Sequence, residues 1–114
     1  MKLLVAGSRS ISGFDISDYI PDNTDMIITG GANGIDRIAE EYADRHGLSK
    51  LILRPKYKIY GRGAPLIRNK EMADLADEIL IIWDGRSNGS KFTLEYCKSI
   101  GKSVTLINLA NITN

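Results

Sequence analysis

Five short apolar runs, separated by stretches of helical periodicity, constrain this chain more than any other feature. The runs are Lys2–Ala6, Met26–Thr29, Leu51–Leu53, Ile79–Trp83 and Ser103–Ile107. They are nearly continuous in Leu, Ile and Val rather than alternating, the pattern of strands covered on both faces. The clearest helix lies at Gly34–His46. There Ile35, Ile38, Ala39, Tyr42, Ala43 and His46 fall at i, i+3, i+4, i+7, i+8 and i+11 and form one apolar stripe. Gly47 follows as a C-terminal stop. Leu66–Ala76 and Ser90–Ile100 carry weaker helical patterns, and Lys98 and Lys102 flank the negative end of the latter. A short helix near Asp15–Ile20 ends before Pro21. Strand and helix in alternation predict an α/β fold, a three-layer αβα sandwich on a mainly parallel five-stranded sheet.

The chain has 114 residues, enough for one domain and too few for two. We expect that domain over residues 1–109, with a loosely ordered tail at 110–114. Hydrophobic content of 43%, charged content of 25% and a net charge of +1 exclude a disordered or membrane-embedded chain. Cys97 is the single cysteine, so no internal disulfide forms, as suits a reducing compartment. The apolar start breaks off at Gly7, too soon for a signal peptide's core or a membrane span. A cytoplasmic location is the expectation. Arg54–Ala64, with Pro55, Gly61 and Gly63, reads as a loop. From Arg45 to Lys70 there are eight basic residues and no Asp or Glu, which implies one anion-facing surface in a near-neutral chain.

In an open parallel sheet, ligands bind beyond the carboxyl ends of the strands. Four segments in that position differ from ordinary turns. Gly7-Ser8-Arg9-Ser10 follows the first strand, where glycine admits close backbone approach and Ser8 and Arg9 can donate to a phosphate. Thr29-Gly30-Gly31-Ala32-Asn33-Gly34-Ile35-Asp36 joins the second strand to the best helix, whose start favours an anion. Asp36 there is read first as a helix-start residue favoured by the dipole. Arg62, Arg68 and Asn69 follow in the basic stretch, and Tyr57 and Tyr60 interleave with its charges. Asp84-Gly85-Arg86-Ser87-Asn88-Gly89-Ser90 leads from the fourth strand into the last helix, with Ser87, Gly89 and Ser90 offered to a phosphate and Asp84 to a ribose. His46 has no second ligand at metal spacing, so no metal site is expected, and no cofactor.

Taken together and in this order, Gly7-Ser8-Arg9, the Thr29–Asp36 segment, Arg68-Asn69 and Ser87-x-Gly89-Ser90 resemble the SLOG superfamily. That superfamily joins the DNA-processing protein A domain and the Lonely Guy enzymes, and the likeness is greatest to its small stand-alone YspA-like branch. The resemblance spans most of the chain. It implies a Rossmann-like fold and a nucleotide-derived ligand lined by Gly30, Gly31, Gly34, Ser87, Gly89 and Ser90, with Arg68 matching a catalytic arginine. Self-association is also implied, and Leu66, Ile67, Met72 and the last helix offer a homodimer face. Where the Lonely Guy enzymes carry a catalytic glutamate, this chain has Thr93, which supplies no carboxylate. Glu95 lies two residues on, about 200° round the helix. Three functions are therefore expected: binding or sensing of a phosphate-bearing nucleotide; nucleotide N-glycosidic hydrolysis through Asp84 or Asp36; and single-stranded DNA binding.

Overall fold

A computed structural model describes residues 1–111 of the chain. Five strands, β1 (Lys2–Gly7), β2 (Met26–Thr29), β3 (Ser49–Ile52), β4 (Glu78–Trp83) and β5 (Ser103–Asn108), form one sheet. All neighbours are parallel and the order is β3-β2-β1-β4-β5. Four helices accompany them: α1 (Ile35–His46), α2 (Tyr57–Tyr60), α3 (Ala64–Leu75) and α4 (Asn88–Ser99).

The period-two alternation of strand side chains sorts the apolar residues onto two faces. Leu3, Val5, Ile27, Leu80 and Ile82 pack with Ile35, Ala39 and Ala43 of α1 and with Ile11, Ile16 and Ile20. Leu4, Ile28, Ile79 and Ile81 face the other way, onto Met72, Ala73 and Ala76 from the α3 side and Leu94 and Cys97 of α4. Both faces are thus covered by helices, which gives the expected three-layer α/β sandwich with a Rossmann-like sheet.

The prediction of doubly buried strands holds for β1, β2 and β4. It does not hold at the edges: Leu51 of β3 and Leu106 of β5 remain about a third exposed, at 36% and 37%. An edge strand has a neighbour on one side only, and a run of apolar residues does not reveal its place in the sheet.

The stretch Arg54–Ala64 is not a plain loop. The Lys56 carbonyl accepts the amides of Ile59 and Tyr60 and closes α2, and a 3-10 turn follows at Gly61–Gly63. Helix α3 begins two residues earlier than the periodicity predicts, with Pro65 in its first turn, where a missing N–H costs nothing. The segment near Asp15–Ile20 forms only a 3-10 turn, Ser17–Tyr19. Of the predicted tail, Ala110 and Asn111 belong to a 3-10 turn that starts at Leu109, and residues 112–114 lie outside the described part. Among the described residues no helix is long and apolar enough to cross a membrane.

The strand order sets the place of the site. From β1 the chain moves outward to β2 and β3, then crosses back to the other side of β1 for β4 and β5. The reversal leaves a crevice between β1 and β4 at their carboxyl ends.

Candidate functional site

Gly7 closes β1 at this crevice. A Cβ there would stand 2.3 Å from the Ile82 carbonyl oxygen, so only glycine lets β1 and β4 meet. Ser8 is buried directly beyond it. Its amide donates to the Ile82 carbonyl at 3.1 Å, and its Oγ accepts the Asp84 amide at 3.0 Å.

Asp84 braces the facing loop. Its Oδ1 accepts the amides of Arg86 (2.8 Å) and Ser87 (2.9 Å), and its Oδ2 accepts the Ser10 hydroxyl at 3.0 Å. The Ser87 hydroxyl stands 3.0 Å from each carboxylate oxygen and 3.1 Å from Ser8 Oγ. Those donors, the two backbone amides foremost, hold the Asp84 carboxyl far below the usual carboxylate range.

This arrangement has a consequence for α4. Ser87 occupies the N-cap position in extended conformation, yet its side chain caps nothing because it is turned toward Asp84 and Ser8. The first helical bond runs from the Lys91 amide to the Ser87 carbonyl. The amides of Asn88, Gly89 and Ser90 therefore have no acceptor among the described residues, at the positive end of a twelve-residue helix. Gly89, Ser87 and Ser90 line a cavity of about 400 Å³ together with Ser8, Arg9, Asp36, Arg68, Asn69 and Asp84. Pro65, Leu66 and Met72 add an apolar side to it.

The three glycines after β2 each admit a different neighbour. A methyl on Gly30 would meet Arg68 Nη1 at 2.5 Å and Asp36 Oδ2 at 3.0 Å. On Gly31, which has φ +73°, it would meet Arg54 Nη1 at 2.6 Å. On Gly34, also at φ +73°, it would meet the Ser8 carbonyl oxygen at 2.4 Å. The start of α1 is occupied by the chain's own groups. Asp36 Oδ2 accepts the Ala32 amide at 3.2 Å, and the Ile35 amide reaches toward the Ser8 carbonyl at 3.4 Å. Although the Asp36 and Arg37 amides have no acceptor among the described residues, the first turn of α1 thus carries its own carboxylate, that of Asp36. Burial pushes its carboxyl above the usual range, and the Ala32 amide and the charge of Arg68 oppose that rise. Thr29 lies beneath the loop, its buried hydroxyl without a hydrogen-bond partner among the described residues.

Arg68 is buried and joins three elements. Its Nη1 donates to the carbonyls of Gly30 (2.8 Å) and Leu53 (3.1 Å), and its Nε donates to Asn69 Oδ1 (2.8 Å). Burial lowers its pKa, and the nearby charge of Arg9 adds to that effect. The other terminal nitrogen, Nη2, makes no hydrogen bond to the described residues. No ion pair within 4.0 Å forms between Arg68 and Asp36.

A second hollow of about 390 Å³ continues over the glycine loop, sharing Arg9, Ala32 and Arg68 with the first. Arg54, Pro55 and Tyr57 join Gly30, Gly31 and Asn33 around it. Four of the residues expected at the site, Thr29, Gly34, Arg62 and Gly85, border neither hollow. Arg62 is exposed on the 3-10 turn before α3 and borders neither hollow. Gly85, at φ +85°, makes room for Ala110, whose Cβ an added methyl would meet at 2.7 Å. Met72, expected on an exposed homodimer face, is buried against the sheet.

Thr93 lines the main cavity, buried, and its hydroxyl donates to the Gly89 carbonyl at 3.0 Å. Glu95 borders a separate groove between α3 and α4, with Lys70 and Tyr96, as the 200° offset requires. Arg54, Pro65 and Leu66 are site residues that periodicity and motif do not reveal. Their only sequence signal is position within three residues of a strand end or helix start. No family model, curated protein or solved structure matches the chain.

Proposed function

We propose that the crevice binds, or senses, a phosphate-bearing nucleotide-derived ligand. The observation that carries this reading is the start of α4. Three backbone amides there lack protein acceptors, and Ser87, whose side chain could have capped one of them, is held by Asp84 and Ser8. Amides at a helix start, aligned with its dipole, suit a phosphate. Arg9 and Arg68 line the same cavity as further donors. The apolar side at Pro65 and Leu66 suits the less polar part of such a ligand. The reading accords with what the SLOG-like motifs imply, and binding without turnover accords with Thr93 in place of the glutamate.

A second reading rests on the two carboxylates of the cavity. Asp36 is shifted up and Asp84 down, and environments that drive two acids apart can divide acid and base roles between them. N-glycosidic hydrolysis of a nucleotide is the reaction such a pair would serve. Against it, both carboxylates already hold backbone amides in place.

Thermal unfolding with a panel of nucleoside monophosphates and ADP-ribose derivatives tests the first reading. A ligand present at a hundredfold its Kd stabilises the native state by about 2.7 kcal/mol, which raises the Tm of a domain this size by roughly 10 °C or more. No shift with any nucleotide at millimolar concentration excludes the reading. Release of free base, lost in Asp84→Asn, would establish hydrolysis in its place.

A further inference from the structure

The hollow over the glycine loop has an unusual charge pattern. Arg9, Arg54 and Arg68 border it, and no Asp or Glu does. Two of these guanidinium groups are fixed by consecutive carbonyls: Arg68 Nη1 donates to Gly30 at 2.8 Å and Arg54 Nη1 donates to Gly31 at 3.1 Å. The glycines are what allow it, since a methyl on either would stand within 2.6 Å of the guanidinium nitrogen. Each arginine keeps donors beyond the one used in this contact, in a planar fork that matches phosphate oxygens. Like charges gathered this way repel one another unless something negative lies among them. Arg54 also borders a groove with Glu40, Glu41 and Asp44, but forms no ion pair there within 4.0 Å, and Lys50 holds Asp44 at 2.9 Å.

We infer that this hollow is a second anion subsite, joined to the first through Arg9 and Arg68. The ligand then carries two anionic groups, one on the amides of α4 and one among the three arginines. The chemical class is a nucleoside bisphosphate or dinucleotide rather than a nucleoside monophosphate. The nucleotide part rests on the function proposed above; the anion preference of the arginine hollow does not.

Isothermal titration of the whole chain tests this with four probes: adenosine 5′-monophosphate, adenosine 3′,5′-bisphosphate, inorganic pyrophosphate and a ten-residue oligothymidylate. Wild type, Arg54→Gln and Arg54→Lys are compared; Arg54 is exposed, and circular dichroism checks that the variants fold. The bisphosphate is expected to bind at least tenfold more tightly than the monophosphate. Arg54→Gln reduces that preference below threefold and abolishes pyrophosphate binding, and Arg54→Lys, which keeps the charge but loses the fork, falls between. A preference that survives Arg54→Gln overturns the subsite and leaves the nucleotide reading in place. Pyrophosphate binding that needs Arg54, with neither nucleotide binding, supports the subsite and removes the nucleotide reading. Silence from all four probes removes both. Arg54-dependent binding that favours the oligonucleotide and falls steeply with salt assigns the hollow to nucleic acid and overturns the small-ligand class.

Discussion

Gly34 and Gly89 are both glycines at helix starts beside the crevice, and they do opposite things. Gly34 sits at φ +73° with no room for a methyl beside the Ser8 carbonyl. Gly89 lies inside α4, and nothing stands within 4 Å of where its Cβ would be. Gly34→Ala should destabilise the fold by about 2–4 kcal/mol, from backbone strain and overlap together. Gly89→Ala should raise stability by up to about 1 kcal/mol, because alanine favours a helix, while a methyl among the free amides weakens ligand binding at least tenfold. Urea unfolding and calorimetry with the same nucleotide check both. A stable Gly34→Ala, or full binding by Gly89→Ala, contradicts the roles given to them. That the glycine run is special is legible in the sequence. What each glycine admits is not, because Arg54 and Arg68 stand 23 and 38 residues from the carbonyls they bind.

At the scale of elements, α1 and α4 start differently, and the proposed function places the anion at α4 on that difference. Both follow a glycine-bearing loop at a strand end, and the sequence recommends both as phosphate sites. The first turn of α1 carries a carboxylate of its own, Asp36, and the first turn of α4 carries none, with Ser87 turned away from its amides. Single-chain patterns cannot separate these cases, since a serine before a helix ordinarily caps it. Asp36 also gives a pH test. Its folded pKa is raised above an unfolded value of about 3.9, so between those values the folded chain holds a proton the unfolded chain has released. Stability therefore falls as pH rises through that window and levels off above it. Asp36→Asn should lose this dependence, so wild type gains relative to the variant as pH is lowered from 7 toward 4. Asp84 acts with the opposite sign: its contribution is complete above about pH 4 and is lost on acidification below it. Denaturant midpoints measured across pH for Asp36→Asn and Asp84→Asn distinguish them, and a wild-type advantage over Asp36→Asn that grows with rising pH refutes the assignment.

For the whole molecule, the alternation of apolar runs and helical stripes was enough to predict the parallel sheet and its two helical layers. Ile35, Ala39 and Ala43 of α1 are buried where the stripe places them. Strand order is not encoded in that alternation, and β3 and β5 show it: their apolar runs resemble those of the inner strands, yet they form the edges. Four loops scattered over more than eighty residues become one site only once β4 returns beside β1. That convergence, with a ligand phosphate on the amides of α4, is the central claim. The most direct test is a two-dimensional amide NMR titration of the isotopically labelled chain with adenosine 5′-monophosphate and, in parallel, adenosine 3′,5′-bisphosphate. The largest shifts should fall on the amides of Gly89 and Ser90, then on Ser8 and Arg9, with Lys70, Phe92 and Tyr96 of the α3–α4 groove little moved. Shifts centred on that groove, or unmoved amides at the start of α4, would contradict it.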